Sequence, residues 1–154
     1  MCRHAFVDLF LAAFEANEVT EGPMTLLPVW QDATGKIVFY LSLMQGAYYA
    51  ATGVWPLVSI RSFEAVTGPK TDRWLVKTVG ILVGVIGAVL LIAGLRRHVS
   101  LEIVVLAVGS AAGLMAIDIW YVARRVIRPI YLLDAVAEIV LVALWVFAEW
   151  SSAG

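Results

Sequence analysis

The chain has 154 residues, of which 62% are hydrophobic and only 15% charged, with a formal net charge of -1. A soluble domain carries roughly a quarter charged residues, so this is the composition of a membrane protein, at a length that fits one domain. The near-neutral balance, without a basic run or a recognition motif, sets nucleic acid aside as a partner. A single cysteine, Cys2, excludes both an intrachain disulfide and a C-x-x-C redox relay.

Residues 1–36 read as a polar N-terminal tail ahead of a membrane domain at 37–150. The opening MCRHAFVDLFLAAFEANE imitates a signal peptide, but Asp8 interrupts its apolar region and no small-x-small cleavage site follows. Two expectations stand for it. It is an amphipathic segment lying on the membrane surface, or an extension upstream of a start at Met24, which leaves every later span intact.

Four apolar runs then predict an all-α integral membrane protein, a four-transmembrane-helix bundle with short loops. Ile37 to Ile60 holds no formal charge, and about 20 apolar residues cross a bilayer as a helix. Trp74 to Leu95 is interrupted only by Lys77 and stops at Arg96-Arg97. Leu101 to Ala123 carries Glu102 and Asp118 and stops at Arg124-Arg125. Ile130 to Ala148 contains Asp134 and Glu138, so it crosses only if those acids face protein instead of lipid.

Four crossings gather Arg61, Lys70, Arg73, Lys77, Arg124, Arg125 and Arg128 on one side, against Arg3, Lys36, Arg96 and Arg97 on the other. The positive-inside bias makes the richer side cytoplasmic and sends both termini outside, as expected of a multi-pass protein of a prokaryotic inner membrane. Trp55, Trp74 and Trp120 would mark the cytoplasmic interface, and Trp30, Trp145 and Trp150 the opposite one. Small residues at four-residue spacing allow helices to approach closely: Ser42, Gly46 and Ala50; Gly80, Gly84 and Ala88; Gly109 and Gly113. They serve packing inside one bundle or contact between copies.

In the first cytoplasmic connection Ser62 is expected to cap a short turn, SFEAV, with Arg61 and Glu64 three residues apart. Gly68-Pro69 ends the turn, and Thr71 or Asp72 caps the next span. Lys77 lies about one turn inside the apolar run, where it either snorkels outward or finds an anionic partner. Asp118 sits roughly 9 Å below Arg124 and Glu138 roughly 12 Å beyond Ile130, at 1.5 Å per residue. Asp134 and Glu138 share a helix face, where two carboxylates repel unless a proton or cation intervenes. Asp118, Tyr121 and Arg125 share another. Lys77, Asp118, Asp134 and Glu138 form the candidate intramembrane cluster, rimmed by Arg61, Glu64, Arg73, Arg125 and Arg128. Gln45, Tyr48 and Tyr49 would line a path if they face the acids.

The chain lacks a nucleophile elbow and a P-loop, and its two histidines, His4 and His98, are not spaced for a metal. Neither a cofactor nor a metal is expected, and lipid-modifying enzymology is the least supported class. The favoured expectation is a non-enzymatic scaffold, sensor or accessory subunit with a buried ion-pair cluster, partnered by the lipid bilayer, another membrane protein or a second copy. The alternative is a small proton- or cation-coupled transporter, or a channel-like oligomer, using intramembrane carboxylates. Neutralising acids discriminates the two, since only the second loses flux.

Overall fold

In the computed structural model, residues 33–152 are described. The tail, with its surface-segment and Met24 readings, Cys2, Arg3, His4 and Trp30, lies outside them. Apolar runs free of strand-like alternation give five helices and no strand among the described residues: α1 (Ala33–Val58), α2 (Ile60–Thr67), α3 (Arg73–Leu95), α4 (Leu101–Ala123) and α5 (Tyr131–Ser152). Three of these, α3, α4 and α5 up to Trp150, are long and apolar enough to cross a membrane. Large side chains such as Leu82, Val85, Val105, Leu133 and Phe147 stand exposed along them, as suits a lipid-facing exterior. The 26-residue α1 is long enough, but Gln45, Tyr48, Tyr49 and Thr52 dilute its apolar character. Apolar length therefore supports three spans of the expected four.

The first run breaks two residues earlier than expected. Pro56 has no N–H to offer the carbonyl one turn back, and at Ser59 the backbone leaves helical geometry (φ -144°) before α2 begins. Ser59, not Ser62, is the cap: its hydroxyl accepts from the Ser62 N–H at 3.4 Å. Ser62 instead accepts the Trp55 indole N–H at 2.9 Å, and the Trp55 and Phe63 rings meet edge to face at 5.6 Å. Gly68, at φ 94°, closes α2 by donating to the Glu64 carbonyl at 2.8 Å. Asp72 takes the N-cap position of α3 through its backbone carbonyl, without a side-chain cap bond.

Helices α1 and α3 run antiparallel with their backbones almost touching. A Cβ on Gly46 would lie 2.8 Å from the Leu91 nitrogen, on Gly53 2.5 Å from the Gly80 oxygen, and on Gly87 2.6 Å from the Ala50 nitrogen. Gly94 fits against Ser42 and Leu43. Sequence spacing pointed to a four-residue repeat, but the tight positions recur every seven residues, at Gly46 and Gly53 against Gly80, Gly87 and Gly94. That period keeps one stripe facing a neighbour that crosses at a shallow angle. Gly84, Gly109 and Gly113 have open space where a Cβ would stand, so among the described residues nothing packs closely on the α4 pair.

Helices α4 and α5 form the second closely packed pair, and α1 joins it to the first through contacts with α5; α3 and α4, though adjacent in sequence, touch sparsely. Leu41, Leu90, Ala107, Trp145 and Ala148 make a buried apolar core at the end where α1 begins. Trp145 is fully buried there, which corrects its expected place at the lipid interface. Helices α3 and α4 end alike, with Arg97 (φ 54°) and Arg125 (φ 57°) in the left-handed region. The next N–H then bonds back to Ala93 at 3.0 Å and to Tyr121 at 2.9 Å. Because α4 has ended by then, Arg125 does not continue the Asp118–Tyr121 face.

Candidate functional site

Helix α1 turns its polar residues toward α4 and α5, because in an apolar surrounding they need partners. Gln45 donates to the Ala107 carbonyl of α4 at 2.9 Å and accepts the Trp145 indole N–H at 2.7 Å, so one buried amide pins three helices. One turn further on, the Tyr49 hydroxyl donates to Glu138 Oε2 at 2.9 Å and the Tyr48 hydroxyl donates to Asp134 Oδ1. The Asp134 carboxyl adjoins that of Asp118 across the α4–α5 contact.

Three carboxyl groups thus converge between the packed core and the opposite end of the bundle. Asp118 is 7% exposed and Glu138 0%, while Asp134 is half-buried. Asp118 Oδ2 and Glu138 Oε1 are buried without a hydrogen-bond partner. Such an orphaned oxygen costs about 1–3 kcal/mol, and more if charged. Among the described residues none of the three acids has a cationic partner. Lys77 is exposed on α3 and does not border the cavity that the acids border. The structure therefore brings Asp118, Asp134 and Glu138 together and leaves Lys77 apart.

That cavity occupies about 780 Å³ between the two helix pairs, with Tyr48, Tyr49, Asp118, Asp134 and Glu138 along it. Its single basic neighbour among the described residues is Lys70, whose ammonium lies 4.8 Å from the centre of the Tyr131 ring and donates to the Thr67 carbonyl at 3.5 Å. Lys70 and Trp145 are the residues sequence reasoning missed. Neither lies inside a charged motif, although a tryptophan four residues before a C-terminal Glu149 and within an apolar run is as compatible with a core as with an interface.

The rim residues separate. Glu64 and Arg73 form a two-pronged ion pair, with both contacts at 2.8 Å, so Arg73 takes the place expected for Arg61. The guanidinium holds the Glu64 carboxyl below its ordinary range, chiefly by hydrogen bonding. Arg61 is exposed. Arg128 lies over Gly68, its Nε 2.7 Å from where a Cβ would stand, and so closes the connection from the α5 side. Arg125 is exposed, and its neighbour Arg124 stacks on the Trp120 ring at 4.5 Å.

Among the described residues no set of three histidine, cysteine or acidic side chains converges closely enough to hold a metal ion. No protein-family model, curated protein or solved structure matches this chain. The three long apolar helices suit a membrane protein by length and composition, and a role is read from the chemistry of the site.

Proposed function

We propose that this is a four-pass membrane protein, α1 being the fourth crossing, whose intramembrane acids bind a proton or cation as part of transport. The observation that carries this reading is the pair of orphaned carboxylate oxygens, on Asp118 and Glu138, beside a cavity. A structural ion-pair cluster would set a cation against these acids, and the described residues supply none. Three acids without a counter-charge in an apolar surrounding are costly unless something positive joins them.

Several features support α1 as a span. It lies along α3 from Ser42 to Pro56, and it directs its polar groups into the bundle. The positive-inside bias then assigns the end bearing Arg61, Lys70, Arg73, Arg124, Arg125 and Arg128 to the cytoplasm, with both termini outside. The scaffold reading retains one specific observation, the exposed arginines of that end, which suit anionic lipid headgroups.

Proteoliposomes containing a pH-sensitive dye test the proposal. Under an imposed membrane potential the wild type should pass protons or a monovalent cation, and folded Glu138→Gln and Asp118→Asn variants should lose that flux. A wild type as silent as protein-free vesicles refutes transport.

A further inference from the structure

We propose, resting on the cation-binding reading above, that the cavity receives a lipophilic organic monocation admitted sideways from the bilayer between α3 and α4. The charge of the ligand follows from the acids. Asp134 is the most accessible of the three carboxylates, Asp118 and Glu138 border the same cavity, and among the described residues only Lys70 brings a positive charge to its lining. Lys70 is engaged with the Tyr131 ring and the Thr67 carbonyl, which holds its charge at the edge of the space.

The apolar character follows from the walls. Val76, Val79 and Val83 of α3 face Leu114 and Ile117 of α4 and Leu133 of α5 across the space. A small hard cation such as Ca²⁺ asks for six or more oxygens, and away from the acids and their tyrosines the lining adds only single hydroxyls, those of Tyr121, Tyr131, Thr52 and Thr67, the last two already bonded to helix carbonyls. An organic cation needs only one charge contact. It loses little hydration, and its apolar body would cover the valine and leucine surface. Phe63 and Tyr121 add aromatic rings of the kind that attract dispersed positive charge. The cavity, about 780 Å³, falls within the range of roughly 300–1,000 Å³ typical for drug-sized ligands.

The route follows from the packing. Helices α3 and α4 touch sparsely, and Val79 and Ile117, which border the cavity, are 44% and 53% exposed. These two side chains thus line the cavity from the two helices that touch sparsely. A membrane-soluble cation reaches the acids by passing between them, without crossing the packed α1–α3 seam.

Two probes of one shape and opposite charge test this: tetraphenylphosphonium and tetraphenylborate. Binding of each is measured by scintillation proximity to protein in nanodiscs, with protein-free nanodiscs as baseline. Circular dichroism verifies the fold of the Asp134→Asn, Glu138→Gln and Val79→Trp variants. The expected result is saturable binding of the phosphonium alone, weakened at least tenfold by Asp134→Asn and blocked by Val79→Trp, which fills the gap from an exposed position. Equal saturable binding of the borate overturns the inference, as does phosphonium affinity unchanged by both Asp134→Asn and Val79→Trp. Acid-dependent proton or sodium flux without phosphonium binding overturns this inference alone, whereas absence of both removes the cation-binding reading as well.

Discussion

Replacing Gly53 by alanine adds one methyl group where the α1–α3 seam is tightest. The new carbon would stand 2.5 Å from the Gly80 oxygen, 2.6 Å from the Gly84 nitrogen and 3.0 Å from the Gly84 Cα. All three are backbone atoms, so no side-chain rotation relieves the clash, and α1 must withdraw from α3 by roughly 1 Å to restore ordinary contact. Overpacking of this kind costs about 1–3 kcal/mol, against a gain of at most about 1 kcal/mol from replacing a helical glycine. The net expectation is a loss of about 0–2 kcal/mol. Gly109→Ala is the control, because nothing lies within 4 Å of its would-be Cβ; it should be neutral or stabilising by up to about 1 kcal/mol. Reversible unfolding in mixed micelles, followed by circular dichroism, measures both. Gly53→Ala as stable as Gly109→Ala would refute the backbone-contact reasoning.

Three further outcomes are expected. Trp145→Phe removes the donor to Gln45 Oε1 and should cost about 1–3 kcal/mol, while the double variant Gln45→Leu with Trp145→Phe should recover part of that loss, since an apolar pair leaves no orphan; the same unfolding assay reads it. Lys77→Ala should change stability by no more than about 0.5 kcal/mol, as for an exposed side chain, whereas the loss of a buried ion-pair partner would cost about 3–5 kcal/mol. Glu64, held by Arg73, has a folded-state pKa below its ordinary value of 4.5. Its contribution to docking α2 is therefore complete above that pH and is lost as pH falls through the lower folded value. Trp55 fluorescence should report this transition, and Arg73→Gln should shift it upward.

Where one residue type dominated a stretch, the sequence was legible. The run from Leu101 to Ala123, apolar apart from Glu102 and Asp118, coincides with α4, and α3 begins one residue before the expected Trp74. The break at Ser59 was not, because a proline near a helix end permits either continuation or a bend, and the Trp55–Ser62 bond that ties the two sides of the break together exists only in the folded chain. The acids were marked by their cost in an apolar run, which singles out Asp118, Asp134 and Glu138 without any fold. Their partners were harder. Tyr48 and Tyr49 lie on α1, far along the chain, and only the α1–α5 contact decides which carboxylate each reaches. Lys77 drew attention through its depth in the sequence, but depth says nothing of direction around the helix. Lys70, in a connection that looked like solvent, borders the cavity because α2 folds back beneath α1.

The uneven packing of the bundle has a mechanical consequence. The α1–α3 pair is locked by backbone contact along its length, and α4 and α5 hold each other closely, so each pair would move as a stiff unit. They are fastened to one another on one side, through Gln45 and Tyr49, and hardly at all on the other. A body of this kind has a built-in axis. Rotation of one pair about the α1–α5 line would swing α3 away from α4 while breaking few contacts, and the fulcrum would pass close to Glu138. A small angular change there would be amplified into ångströms at Val79 and Ile117, so the stiffness that sets the site would also set how far it can open.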